Sequence, residues 1–103
     1  MAHYMIQVSF TGEMMERMVE TPELFDGSWL RDVVGRLDGS VVGMWACFGE
    51  YDAIVICELP DKTDLFALTS AFRAIAPLSK ANTTFLLTQD EQLAGFKKAR
   101  GQG

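Results

Sequence analysis

Residues 41–48 and Ala53–Leu59 are two apolar runs separated only by Gly49-Glu50-Tyr51-Asp52. Runs this short, rich in Val, Ile, Trp and Phe and parted by turn-forming residues, read as a β-hairpin. A hairpin at the centre of the chain commits the flanking segments to building a sheet around it. Residues 41–48 are apolar on both sides by the two-residue period of a strand. Val41, Trp45 and Cys47 fall on one side, and Val42, Met44, Ala46 and Phe48 on the other. With Phe48 opposite Ala53, Cys47 faces Ile54 and Cys57 faces Met44. The two sulfurs then point to opposite sides of the sheet and cannot bridge, unless a bulge intervenes.

The flanking segments alternate in type. Residues 3–10 place Tyr4, Ile6, Val8 and Phe10 on one side and Met5, Gln7 and Ser9 on the other, the pattern of a strand. Residues 13–20 carry Met14, Met15, Met18 and Val19 on one helical stripe. Thr21-Pro22 interrupts that helix. Residues 28–37 resume it with Trp29, Leu30, Val33, Val34 and Leu37, and Gly39 suits a left-handed closing position. After the hairpin, Leu65, Leu68, Phe72 and Ile75 repeat at three- and four-residue steps, until Pro77 stops the helix. Residues 83–87 read as a fourth strand. Thr88 and Glu91 form a capping box that starts a last helix running to about Ala99.

The order βαββαβ plus a tail helix is the split pattern of ferredoxin-like folds: α+β, with an antiparallel four-stranded sheet and helices on one side. One domain over residues 1–103 is expected, since a chain this long can bury its own core. In this topology residues 41–48 lie on a sheet edge. An edge apolar on both sides invites aggregation unless something covers it. The helix-free face also carries Met5, Trp45, Cys47, Ile54 and Ile56. A second copy packed sheet to sheet is the simplest cover, so a homodimer or higher oligomer is expected.

Composition narrows the partners. Fourteen acidic residues against nine basic ones give a net charge of −5, a surface that repels phosphate backbones, so no nucleic acid is expected. No stretch approaches the roughly 20 apolar residues that span a bilayer, so no membrane partner is expected either. The N-terminus lacks the basic and long apolar segments of a signal peptide, and a cytoplasmic location follows by default. Cys47 and Cys57 form no Cys-x-x-Cys pair, and no His, Cys, Asp or Glu cluster has metal-ligand spacing. No Gly-rich phosphate loop precedes a helix. No metal or cofactor is expected.

The chain resembles the GYD-domain family of small prokaryotic proteins. The resemblance rests on Gly49-Glu50-Tyr51-Asp52, the following Ala53-Ile54-Val55-Ile56, and Pro60-Asp61. The opening strand from Tyr4 to Phe10, Thr11-Gly12 and residues 39–42 also match. It implies a dimer of ferredoxin-like units in the manner of dimeric α/β barrels, and brings no established activity. That wider group includes cofactor-free oxygenases, haem-handling enzymes, muconolactone isomerase-like enzymes and small-ligand sensors. Residues 21–28 depart from the longer continuous first helix that the resemblance implies.

Four residues are candidates for ligand contact: Trp45, Glu58, Tyr51 and Asp52. A phenol beside a carboxylate in a turn can bind a ligand or move a proton. The plainer reading has Gly49 supplying a positive φ, Asp52 bonding to turn amides and Tyr51 packing on a neighbour. Glu58 shares a face with Ile54 and Ile56 and, in the register above, lies opposite Gly43 near Trp45. A carboxylate so enclosed would have a raised pKa; on the rim it would be solvated or paired with a cation. His3, the single histidine, reads as a solvent-exposed residue at a fraying strand end. Arg73 reads as a surface cation, and the methionine stripe as core.

These residues leave three functions in competition. The first is a homo-oligomeric protein binding a small apolar or aromatic ligand without catalysis. The second is a cofactor-independent oxygenase or isomerase with Glu58, Tyr51 or Asp52 handling protons, a reading by fold analogy. The third is a structural or regulatory subunit.

Overall fold

The computed structural model describes residues 1–101. The elements run β1 (Ala2–Phe10), α1 (Gly12–Glu20), a short 3₁₀ turn (Pro22–Phe25), α2 (Ser28–Arg36), β2 (Ser40–Ala46), β3 (Ala53–Leu59), α3 (Lys62–Ile75), β4 (Leu78–Leu86) and α4 (Gln89–Ala99). The strands form one sheet in the order β2-β3-β1-β4, every neighbouring pair antiparallel. This is the α+β, ferredoxin-like arrangement expected from the element order, with β2 on an edge.

Local chemistry starts and stops the helices. Thr11 caps α1 by accepting from Met14 N, and Thr21-Pro22 ends that helix and opens the 3₁₀ turn. Asp61 caps α3 and Thr88 caps α4, each in a reciprocal capping box, with Asp64 and Glu91 as the returning carboxylates. Helices α2 and α3 lie over one face of the sheet. There Tyr4, Ile6 and Val8 of β1, Val55, Cys57 and Leu59 of β3, Leu30, Val33 and Val34 of α2, and Leu65 and Leu68 of α3 make one core. Of the methionine stripe only Met14 is buried; Val19 stays 73% exposed.

The hairpin differs from its expected register. Ala46, not Phe48, pairs with Ala53, so residues 47–52 form a wide loop closed by Cys47 N donating to the Asp52 carbonyl at 2.8 Å. A bulge at Val42 then sets Val41 opposite Cys57. The extra residue reverses the sides of its neighbours. Val41 packs on the core and Val42 turns outward, opposite to simple alternation. The wide loop also explains why Gly49 has no positive φ, since it need not turn within two residues. At the end of α2 the left-handed position falls on Asp38 (φ 61°), not Gly39. Gly39 is needed for space instead: a Cβ there would strike the Glu58 carbonyl oxygen.

Strand β4 begins at Leu78, five residues before the expected start, because pairing with β1 recruits Ser79, Lys80 and Asn82 despite their weak strand preference. Helix α4 stands apart. It has no buried residue, and its Leu93 and Phe96 are exposed. The molecule measures 56 × 30 × 19 Å with a radius of gyration of 15.8 Å, against roughly 13 Å for a compact chain of this size.

Both cysteines are free, and Cys57 is fully buried. Burial pushes its thiol pKa up from 9.0 to about 11. The unfolded chain therefore releases this proton first, and stability falls as pH rises through that window. In urea melts at pH 8 and pH 10, we expect a smaller alkaline loss of stability for Cys57→Val than for the wild type.

Candidate functional site

The turn at residues 49–52 is a clamp on the end of β1. Asp52 N donates to the Val8 carbonyl at 2.9 Å, and the Asp52 carboxylate accepts from Phe10 N at 2.9 Å. Ser9 Oγ donates to the Glu50 carbonyl at 3.2 Å. Lys80 of β4 reaches across to the same turn, with Nζ 3.3 Å from a Glu50 carboxylate oxygen and 4.9 Å from the centre of the Tyr51 ring. The turn thus ties β1, β3 and β4 together. The carboxylate of Asp52 is engaged with strand β1 and not with the amides of its own turn.

Trp45 and Glu58 lie on the helix-free face. The rows across the sheet there are Trp45-Ile54-Gln7-Asn82, then Gly43-Ile56-Met5-Thr84, then Ser40-Glu58-His3-Leu86. Trp45 is 53% exposed, and its indole lies over Gly43, where any Cβ would strike the ring. Glu58 is opposite Ser40, not Gly43 as the simple register has it, because of the hairpin shift and the bulge. Its carboxylate lies 2.7 Å from His3 Nε2 and accepts from Ser40 Oγ at 3.4 Å. His3 is therefore a half-buried partner of Glu58, and its Nδ1 is buried without a hydrogen-bond partner among the described residues. Antiparallel pairing of β1 with β3 makes this contact across 55 positions of sequence, so no local pattern could have signalled it.

The structure does not bring the four candidates into one site. Trp45 and Glu58 share a face with the Gly43 row between them, whereas Tyr51 and Asp52 sit at the end of β1.

A concave site lies on the other side of the sheet. Between α3 and the β1–β4 pair is a crevice of about 140 Å³. Ile6, Val8 and Ala81 line it from the sheet, and Leu68 and Phe72 from the helix. Thr69 and Arg73 add polar groups from α3. Phe72 also meets Trp29 edge-on, with ring centres 5.8 Å apart. The helical pattern assigned Leu68 and Phe72 to the core, but where α3 would leave a gap over β4 depends on helix placement.

A family model described as the GYD domain matches residues 4–94. No curated protein matches the chain. Among solved structures, a protein from Thermus thermophilus is similar over 85% of this chain and 95% of its own, at 15% identity and a TM-score of 0.57. A hypothetical protein from Pyrococcus horikoshii is similar over 86% and 93%, at 20% identity and 0.52. An AsnC family transcriptional regulator from Agrobacterium tumefaciens is similar over 85% of this chain, at 15% identity and 0.55. The chain spans about half of that regulator's length. At these identities the likeness is one of fold.

If the turn is a clamp, its residues should register in stability. Asp52→Ala removes a partly buried, charge-assisted acceptor and should cost about 1.5–3 kcal/mol. Tyr51→Phe keeps the ring under Lys80 and should stay within about 0.5 kcal/mol of wild type. Equilibrium urea denaturation of both variants measures the difference.

Proposed function

From the premise that the chain belongs to the GYD domain family, we propose that it is a self-associating module that binds a small apolar or aromatic ligand and does not itself catalyse a reaction. The observation that carries this reading is the one-sided cover of the sheet. Helices bury the Tyr4, Ile6 and Val8 face, while Met5, Ile54 and Ile56 are left half-buried, and Trp45 and Val42 exposed, on the other. Four adjoining apolar side chains and an indole form the kind of patch that proteins hide by association. A second copy meets it with the same surface, as two-fold symmetry requires. The exposed Leu93 and Phe96 of α4 add apolar surface that this chain's own core leaves uncovered.

The candidate residues favour binding over catalysis. Asp52 is committed to the Phe10 amide, and Glu58 is paired with His3. A proton-transfer pair would need to converge on one substrate position, and these carboxylates lie on separate parts of the sheet. In this reading Trp45 is the anchor of the interface, Glu58 a polar contact at its rim, and Tyr51 and Asp52 the brace that keeps the sheet in register.

Sedimentation velocity at low micromolar concentration tests the assembly. The wild type should sediment at a multiple of the 11.4 kDa chain mass. Trp45→Glu, which sets a charge on the patch at an exposed position, should shift it to monomer with its circular dichroism unchanged. A wild type that is monomeric under these conditions would rule out self-association.

A further inference from the structure

We infer that the crevice between α3 and β4 is a binding site for a small monocarboxylate with an apolar body. The inference rests on the ligand-binding reading above and gives it a location and a chemical class. Size comes first. An engineered apolar cavity of about 150 Å³ accepts benzene, so about 140 Å³ admits a single ring or a short branched chain. The walls offer such a body Ile6, Val8, Leu78 and Ala81 on the sheet side and Leu68 and Phe72 on the helix, with Thr83 a polar group in the sheet wall.

Charge gives the class. Arg73 lines the crevice, and its side chain has neither an ion pair nor a hydrogen bond among the described residues. In a chain of net charge −5, an arginine left without a carboxylate beside an apolar crevice is a vacant anion contact. Its planar guanidinium matches a carboxylate with two parallel hydrogen bonds. Thr69 stands one turn earlier on the same helix, so its side chain lies on the same stripe. Its hydroxyl donates to the Phe66 carbonyl at 3.1 Å. The lone pairs left on that oxygen suit a protonated group on the ligand better than the carboxylate itself. The ring or alkyl part then sits against Phe72, and the carboxylate faces Arg73.

Benzoate and benzyl alcohol are the probes, since they share a ring and differ in charge. The readouts are backbone amide shifts of the full ¹⁵N-labelled chain and fluorescence of Trp29, which touches Phe72. Benzoate should shift amides in residues 68–73 and 78–83 saturably. Arg73→Gln alters an exposed residue, so the fold should persist. It should weaken benzoate by at least about tenfold, the loss of a charge-assisted contact, and leave benzyl alcohol unchanged. Equal affinity of wild type and Arg73→Gln for benzoate would overturn the carboxylate assignment, while crevice shifts with both probes would keep the ligand-binding reading alive. Shifts confined to the Trp45 face would overturn the crevice as the site. Silence of the whole spectrum towards both probes would overturn the site and the ligand-binding reading together.

Discussion

The register of β1 against β3 governs everything else in this molecule. Tyr4 opposite Cys57, Ile6 opposite Val55 and Val8 opposite Ala53 place the apolar set under the helices. The alternate pairs, His3 with Glu58, Met5 with Ile56 and Gln7 with Ile54, then occupy the free face. A slip of one residue would exchange the two sets. The turn at residues 49–52 resists such a slip by bonding to Val8, Ser9 and Phe10 from the β3 side. The turn residues that carry the family resemblance therefore have a structural task in this chain, at a junction where three strands meet.

From that register come two surfaces of different character. The helix-bearing face is a packed core with a crevice between α3 and the β1–β4 pair, bordered by Arg73. The opposite face carries Met5, Ile54, Ile56 and Trp45, with Gln7, Asn82 and Thr84 among them and the His3–Glu58 pair at one end. The proposed ligand belongs to the first and the proposed self-association to the second.

Much of this was legible in the chain. Period-two alternation from Tyr4 to Phe10 identified the central strand and its buried side. The Thr88–Glu91 capping box located the start of α4, and Thr21-Pro22 the break between α1 and α2. These signals are local: a cap, a proline or an alternation acts within about four residues, and its physical cause lies in the same segment. The failures were of another kind. The helix pattern predicts a left-handed Gly39, yet Asp38 takes that angle, and what Gly39 supplies is the missing Cβ beside the distant Glu58 carbonyl. The sequence predicts a solvent-exposed His3, since its partner Glu58 lies on another strand.

The amino-acid order by itself thus determined the types and order of the elements, the ferredoxin-like class, and which side of β1 faces the core, since hydrophobic period and capping chemistry are properties of neighbouring residues. Tertiary structure alone decided the bulge at Val42, the meeting of His3 with Glu58, the projection of α4 and the crevice beside Arg73. Each of these depends on how far one element is displaced against another. That distance is set by packing across the sheet, where contacts join residues tens of positions apart and no short stretch of sequence contains both partners.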